Sequence, residues 1–237
     1  MRPIQLSPRL RSVADLVPCN AILADVGTDH GFLPIYLLQR NQIKCAVAAD
    51  LREGPLSKAK ANAEKYGLCD RMDLRLCDGL SAIGPEDADT ISIAGMGGET
   101  IAQILAAAPW TKDGKHTLIL QPMTSTYDLR EFLSEQGYTI LFEHLNREDR
   151  RIYITMEVSA GTCEPYSVGE KWAGRQWKEM NSPMRGEYLD MMLFRAKRAL
   201  DGLEKSVRPD DIPRRELLQK IVPQVEQLRE EWLAWQQ

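Results

Sequence analysis

Ala21-Ile-Leu-Ala-Asp-Val-Gly-Thr-Asp-His-Gly31 is a bounded apolar run that breaks on a glycine. Ala21 to Val26 has the length of a buried strand. Gly27 then permits a tight turn and lets the backbone approach a neighbour with no Cβ in the way. A second apolar run, Cys45 to Ala49, ends in Asp50 about twenty residues after that turn, and Met72 to Cys77 alternates into Asp78-Gly79. Acidic side chains therefore close three successive predicted strands. In an open α/β sheet, ligands bind beyond the carboxyl ends of the strands.

The turn also discriminates among nucleoside ligands. A dinucleotide site requires Gly-x-Gly-x-x-Gly, whose later glycines let a pyrophosphate approach a helix N-terminus. Here Gly27-Thr-Asp-His-Gly31 places Asp29 where that phosphate would lie, and like charges repel. S-adenosylmethionine carries no phosphate but has a sulfonium and an ammonium, so carboxylates suit it. Asp50 stands at the spacing of a ribose-diol acceptor, and Asp78 can accept from an adenine amino group.

Upstream, Ser7-Pro8 reads as an N-cap followed by proline at the first helical position, with Arg9 and Arg11 expected on the solvated side of that helix, a phosphate contact being the alternative. Leu33–Gln39 and the stretch from Gly54-Pro55 to Gly67 are predicted helices. Thr90 to Ala94 is a predicted fourth strand, and the Gly95-Met96-Gly97-Gly98 that follows implies positive φ or a close backbone approach. His116 to Leu120 is a fifth strand ending in Gln121-Pro122, and Tyr127 to Gln136 is a helix stopped by Gly137. Tyr138–Leu145 and Arg151–Val158 alternate as two strands joined by the charged turn 146–150. Seven strands result.

From Cys163 onward the character changes. Two apolar stripes at helical spacing, Tyr188 to Leu203 and Leu217 to Trp235, read as an antiparallel helical hairpin with Pro223 interrupting the second. We expect a domain over 1–160 and a helical domain over 161–237.

The 237 residues are 43% hydrophobic and 27% charged with a formal net charge of −4, an ordinary globular composition. No apolar stretch approaches the roughly 20 residues of a membrane span, and the basic opening is not followed by an apolar h-region. A cytoplasmic chain with no membrane association is expected. The five cysteines are scattered without metal-ligand spacing, so no metal site is expected and free thiols are. The charge balance argues against nucleic-acid binding over the whole surface but leaves room for a local basic patch.

The motifs Leu6-Ser-Pro-Arg-Leu10, Asp25-Val-Gly-Thr-Asp-His30 with Leu33-Pro34, Asp50 followed by Gly54-Pro-Leu56, Asp78-Gly-Leu80, Ile93-Ala-Gly-Met-Gly-Gly98, Leu120-Gln-Pro122 and Ile152-Tyr153 together resemble the bacterial tRNA (adenine(22)-N1)-methyltransferase family. Gly31-Phe32 departs from the Ala-Tyr common there. The resemblance implies a Rossmann-like class I methyltransferase sheet of seven strands with a C-terminal helical coiled-coil hairpin. It also implies S-adenosylmethionine-dependent methylation of N1 of an adenine in the D-loop region of tRNA.

On this reading the cofactor-binding set is Asp25, Gly27, Thr28, Asp29, His30, Asp50, Leu51, Asp78, Gly79, Gly95 and Met96. Asp29 and Gln121 are the expected catalytic residues, placed near N1 and N6 of the target base, with Gly97 and Gly98 bordering it. Arg147, Arg150, Arg151, Lys171, Arg175 and Lys178 are candidates for tRNA phosphate contacts, and a monomer is favoured. Rival readings are a methyltransferase of a small metabolite, a non-catalytic RNA-binding module on the same fold, and a metal hydrolase using Asp25, Asp29, His30 and Asp78.

Overall fold

The structure, a computed structural model, describes residues 3–204 and 206–236; the outermost limits, 1 and 237, of the two expected domains lie outside the described residues. The chain forms two compact units, Met1–Ser125 with Phe132–Cys163 and Thr126–Glu131 with Glu164–Gln237.

The first unit contains α1 (Pro8–Leu16), β1 (Ala21–Val26), α2 (Phe32–Gln39), β2 (Ile43–Asp50), α3 (Glu53–Tyr66), β3 (Met72–Leu76), β4 (Thr90–Gly97), α4 (Gly98–Ala107) and β5 (Thr117–Thr124), followed after α5 (Thr126–Glu135) by β6 (Tyr138–Glu148) and β7 (Arg151–Ala160). The strands make one sheet in the order β3-β2-β1-β4-β5-β7-β6. The first five are parallel, and β7 runs antiparallel between β5 and β6. This is the expected seven-stranded α/β architecture.

Central parallel strands are covered on both faces, so they read as continuous apolar runs rather than alternations; Leu23, Ala24, Ile91, Ile93, Leu118 and Leu120 are buried accordingly. Helix α2 is apolar nearly all round and is buried from Leu33 to Leu38, as such a helix must be. Helix α1 starts as predicted, with the Ser7 side chain accepting from Leu10 N–H and Pro8 at the first position. Its Val13 and Ala14 join the core with Leu23, Leu37 and Ile43. On its other side Ser12 Oγ lies 2.8 Å from Thr155 Oγ1, and the Arg9 backbone N–H donates to Glu148 Oε2 at 2.8 Å. A carboxylate at a helix N-terminus is favourable, and this bond holds the Glu148 carboxyl below its usual range.

Three boundaries differ most from expectation. Strand β4 does not stop at Ala94; it continues to Gly97 with register shifts against β5 around Met96, a bulged strand end of the kind that re-aims side chains beside sites. Strand β5 continues through Gln121 and Pro122 to Thr124, proline being tolerated where pairing is already irregular. The charged turn expected over 146–150 shrinks to Asp149-Arg150, because Asn146 pairs with Tyr153 and Glu148 with Arg151. Ladder bonds are backbone bonds, so charged side chains at a solvent-facing strand end do not interrupt them.

The second unit is built from α6 (Val168–Ala173), α7 (Arg185–Glu204) and α8 (Ile212–Trp235) together with Thr126–Glu131 of α5. The two expected stripes bury Tyr188, Leu189, Met192 and Ala196 on α7 and Leu218, Ile221, Val225 and Trp232 on α8. Helix α8 runs on through Pro223. The short α6 was not legible in sequence; it opens with a capping box between Ser167 and Glu170. Gly169 lies so close to α8 that a Cβ there would sit 2.5 Å from Gln224 Cβ. The last carbonyls of α6 are held by two buried arginines. Arg130 Nη1 donates to the Lys171 and Trp172 carbonyls at 2.8 and 3.1 Å, and Arg185 donates to those of Ala173 and Gly174 at 2.6 and 2.7 Å. Helix ends require such partners. Among the described residues, no helix is long and apolar enough to cross a membrane.

Candidate active site

A cavity of about 430 Å³ opens beyond the carboxyl ends of β1, β2, β3 and β4, within the usual size range for small-molecule sites. Asp25, Asp50 and Asp78 all line it, as do the turn residues Gly27 to His30, with Leu51, Gly79, Gly95 and Met96. The structure thus brings the whole predicted cofactor-binding set together.

The turn after β1 is held by its own amides. The N–H groups of Gly27 and Thr28 both donate to the Ala49 carbonyl, at 2.8 and 2.9 Å, and that of Gly31 donates to the Thr28 carbonyl at 2.9 Å. Asp29 N–H donates to Asp50 Oδ2 at 3.3 Å. A phosphate-binding loop would aim such groups at its ligand. Here they are engaged by the Ala49 and Thr28 carbonyls and by the Asp50 carboxylate. Gly27 has a φ of 74°, a conformation that favours glycine, while a Cβ there would displace only the flexible end of Met96, whose Cε would lie at 2.3 Å.

Each acid has its own surroundings. Asp25 is buried and accepts from Ser92 Oγ at 2.7 Å, and burial pushes its carboxyl pKa up. Asp50, also buried, accepts from Arg52 N–H at 3.0 Å through Oδ1, which orients both oxygens at the end of β2. Asp78 is exposed at the mouth, and the neighbouring Gly79 takes a φ of 56° where a Cβ would meet Ile104 Cγ1 at 2.9 Å. Asp29 stands forward, its side chain 64% exposed, with His30 Nε2 at 3.6 Å. The His30 ring stacks on Phe32 at 5.1 Å. Among the described residues no three His, Cys, Asp or Glu side chains converge as a metal set.

Gln121 is placed differently from expectation. It is fully buried and absent from the cavity lining. Its Oε1 accepts from Arg9 Nη1 at 2.6 Å and from Gly95 N–H at 3.2 Å, while its Nε2 donates to the Pro122 carbonyl at 3.0 Å. Because β5 continues through it as a core strand, it supports the wall from behind rather than facing a substrate. Arg9 is the residue that sequence reasoning missed. The expectation of a solvated face holds for Arg11, which pairs with Asp15 at 2.7 Å, whereas Arg9 turns into the cavity. The Leu6–Leu10 motif was the available signal. Gly97 and Gly98 do not line the cavity either. A Cβ on Gly98 would lie 2.2 Å from the Ser125 carbonyl oxygen, so this glycine answers to a close backbone approach.

Of the six basic candidates, Arg147, Arg150 and Arg151 are exposed at the end of the β6–β7 hairpin in the first unit. Lys171, Arg175 and Lys178 belong to the second. Lys171 pairs with Glu131 at 2.7 Å, and Arg175 pairs with Glu170 at 2.7 Å and lies over the Tyr166 ring at 4.0 Å.

Comparison with known proteins bears on this site. Residues 6–156 match a family model described as a methyltransferase domain. The tRNA (adenine(22)-N(1))-methyltransferase of Bacillus subtilis strain 168 is 39% identical over 161 residues, 68% of this chain and 68% of that protein. The solved structure of the B. subtilis tRNA methyltransferase TrmK is 28% identical, with a TM-score of 0.84 over 95% of this chain and 99% of its own. Streptococcus pneumoniae Sp1610, solved in complex with S-adenosyl-L-methionine, is 32% identical with a TM-score of 0.81 over 95% of this chain and 100% of its own.

Proposed function

The chain belongs to the tRNA (adenine(22)-N1)-methyltransferase family, and from that premise we propose that it methylates N1 of the adenine at position 22 of tRNA in the cytoplasm. We assign the reaction to residues 1–160 and a supporting role in tRNA binding to the helical domain over 161–237. The observation that carries the reading is the row of Asp25, Asp50 and Asp78 at the ends of adjacent strands, around a cavity whose turn amides are already bonded. These residues fit S-adenosylmethionine, which offers hydrogen-bond donors and positive charge and has no phosphate. When bound, the cofactor supplies an electrophilic methyl group on a sulfonium.

Asp50 would accept from the ribose diol, Asp78 from the adenine amino group, and Asp25 would serve the amino-acid end. Adenine N1 has an in-plane lone pair, so attack needs no general base to begin, and positioning supplies much of the rate. As N1 bonds to the methyl group, whose bond to sulfur would break to leave neutral S-adenosylhomocysteine, positive charge grows on the target base. Asp29, exposed at the mouth, presents a carboxylate that stabilises that charge more in the transition state than before it. N1 lies on the Watson–Crick edge, so a paired adenine must leave its partner to reach the site. Arg147, Arg150, Arg151 and Lys178 supply phosphate contacts. Lys171 and Arg175 would join them by exchanging Glu131 and Glu170 for phosphate.

Incubation with labelled S-adenosylmethionine and unmodified tRNA, followed by nucleoside analysis, tests the proposal. The expected product is 1-methyladenosine at position 22; label entering a small metabolite, or no transfer at all, would overturn it.

A further inference from the structure

We propose that a nucleotide flanking the target adenine seats in a second recess of the first unit, with its base on the Tyr66 ring and its phosphate at Arg40. This rests on the tRNA methyltransferase reading above. The recess, of about 640 Å³, is lined by Pro3, Ile4 and Gln5 ahead of α1, by Phe32 and Arg40 at the two ends of α2, and by Tyr66 at the end of α3. Phe32 also lines the first cavity, so the two hollows share one ring as a partition. The segment ahead of α1 is fixed, because Ile4 is buried and its N–H donates to Gln39 Oε1 at 2.9 Å. Asn62, one turn before Tyr66 and on the same face of α3, donates through Nδ2 to the His30 carbonyl at 2.9 Å. That bond ties the Tyr66 end of the helix to the turn that carries Asp29.

The chemistry of the recess differs from that of the cavity. No acid lines it, whereas Asp25, Asp29, Asp50 and Asp78 line the first. Two aromatic rings, an aliphatic wall, an amide and a guanidinium suit a planar, anionic ligand and offer nothing to a sulfonium. Arg40 follows α2 and stands about 12 Å along the helix from Phe32. Its guanidinium lies over the Tyr36 ring at 3.6 Å, and Nη1 donates to the Tyr36 carbonyl at 3.4 Å. Both partners are neutral, so the charge is left for a phosphate. Lys65 Nζ, 5.4 Å from the Tyr66 ring centroid, adds a second cation at the α3 end. Extruding an adenine from its stack strips a face from the neighbouring base, and unstacked RNA bases are held on aromatic rings and arginine planes. Phe32, 41% exposed with its ring stacked on His30 at 5.1 Å, stands between the two bases, so a neighbour seated one ring away recovers part of the stacking lost by the target.

The test uses the whole chain with S-adenosylhomocysteine and two otherwise unmodified tRNAs, carrying the fluorescent base 2-aminopurine immediately before or immediately after the target adenine. Stacking quenches this base. At saturating protein, one of the two probes should be severalfold dimmer with the wild type than with Tyr66→Ala, and Tyr66→Phe should match the wild type. Tyr66→Ala and Arg40→Glu should each raise the KM for tRNA about tenfold, the scale of one lost stacking or phosphate contact, while calorimetry gives the wild-type affinity for S-adenosylmethionine. Arg40 is exposed, so its variant reports on the recess even where Tyr66→Ala fails to fold. Equal brightness of both probes with the wild type and a folded Tyr66→Ala, or a wild-type KM for tRNA in Arg40→Glu, would overturn the assignment. So would weakened donor binding in Arg40→Glu, which would make the recess an extension of the donor cavity. A wild type that transfers no methyl group to tRNA would overturn the methyltransferase reading itself.

Discussion

The Asp29 backbone N–H donates to Asp50 Oδ2 at 3.3 Å, so the acid at the cavity mouth hangs from the acid at the end of β2. Asp29 also takes a φ of 51°, a conformation that Asn, Asp and Gly tolerate better than other residues. The two positions are therefore coupled in geometry while differing in role, and their substitutions should separate.

For Asp50→Ala we expect S-adenosylmethionine affinity to fall at least about tenfold, the cost of removing charged hydrogen bonds. Calorimetry measures it, with circular dichroism confirming the fold; full affinity in a folded variant would remove Asp50 from the ribose.

Asp29→Asn keeps the backbone conformation and the shape but not the charge. Donor affinity should persist while kcat drops on the order of a hundredfold, the scale for losing one electrostatic contact to the transition state. Single-turnover rates at saturating tRNA decide it, and a wild-type rate would end the assignment.

Gly98→Ala tests the claim that this glycine serves packing. The new Cβ would meet the Ser125 carbonyl oxygen, and overpacking of this kind costs about 1–3 kcal/mol. Denaturant unfolding should show that loss, with donor affinity per folded molecule unchanged.

Arg75 grips Asp87 through two bonds of 2.7 and 2.9 Å, and this pair, with Gly84 N–H, lowers the Asp87 pKa from 3.8 to about 2. A carboxyl whose folded pKa is depressed contributes stability above its unfolded value and loses it as pH falls through the folded one. Since a third of the Asp87 side chain is exposed, solvent screening trims the contribution to about 1 kcal/mol. Asp87→Asn should therefore be less stable than wild type by that amount at pH 7, and the gap should close between pH 4 and about 2. A gap that is constant with pH would show that packing, not charge, is responsible.

Replacing Arg147, Arg150 and Arg151 with alanine should weaken tRNA binding and flatten the dependence of log affinity on log salt, by up to about one slope unit for each phosphate no longer neutralised. Filter binding across a salt series measures this. A slope equal to wild type would place the tRNA backbone elsewhere.

Much of the first unit was legible because the sheet writes itself in local terms. Apolar runs of strand length, glycine and proline at element ends, and acids at three successive strand tips are all short-range signals. What escaped depended on partners distant in sequence. Arg9 and Arg11 look alike in the sequence; only the placement of α1 against β5 and β6 sends one into the cavity and leaves the other in water. Gln121 sits where the apolar run ends, yet β5 continues past it, so a residue expected at the mouth is core. Gly98 carries the same letters as a ligand-facing glycine and serves the backbone at Ser125 instead. The hairpin arginines were proposed from charge alone, whereas the Glu131 and Glu170 partners of Lys171 and Arg175 required the folded second unit.

The arginine grip on the end of α6 has a bearing on how this protein can be dissected. Arg130 comes from a helix that precedes β6 and β7 in the chain, yet its acceptors, the Lys171 and Trp172 carbonyls, follow them. A stop codon after residue 160 would delete both acceptors and leave a guanidinium that is now fully buried to find water or aggregate. Minimal fragments for crystallography or screening should therefore retain the helical tail, and protease nicking in the 161–167 stretch should leave the two pieces associated until denatured.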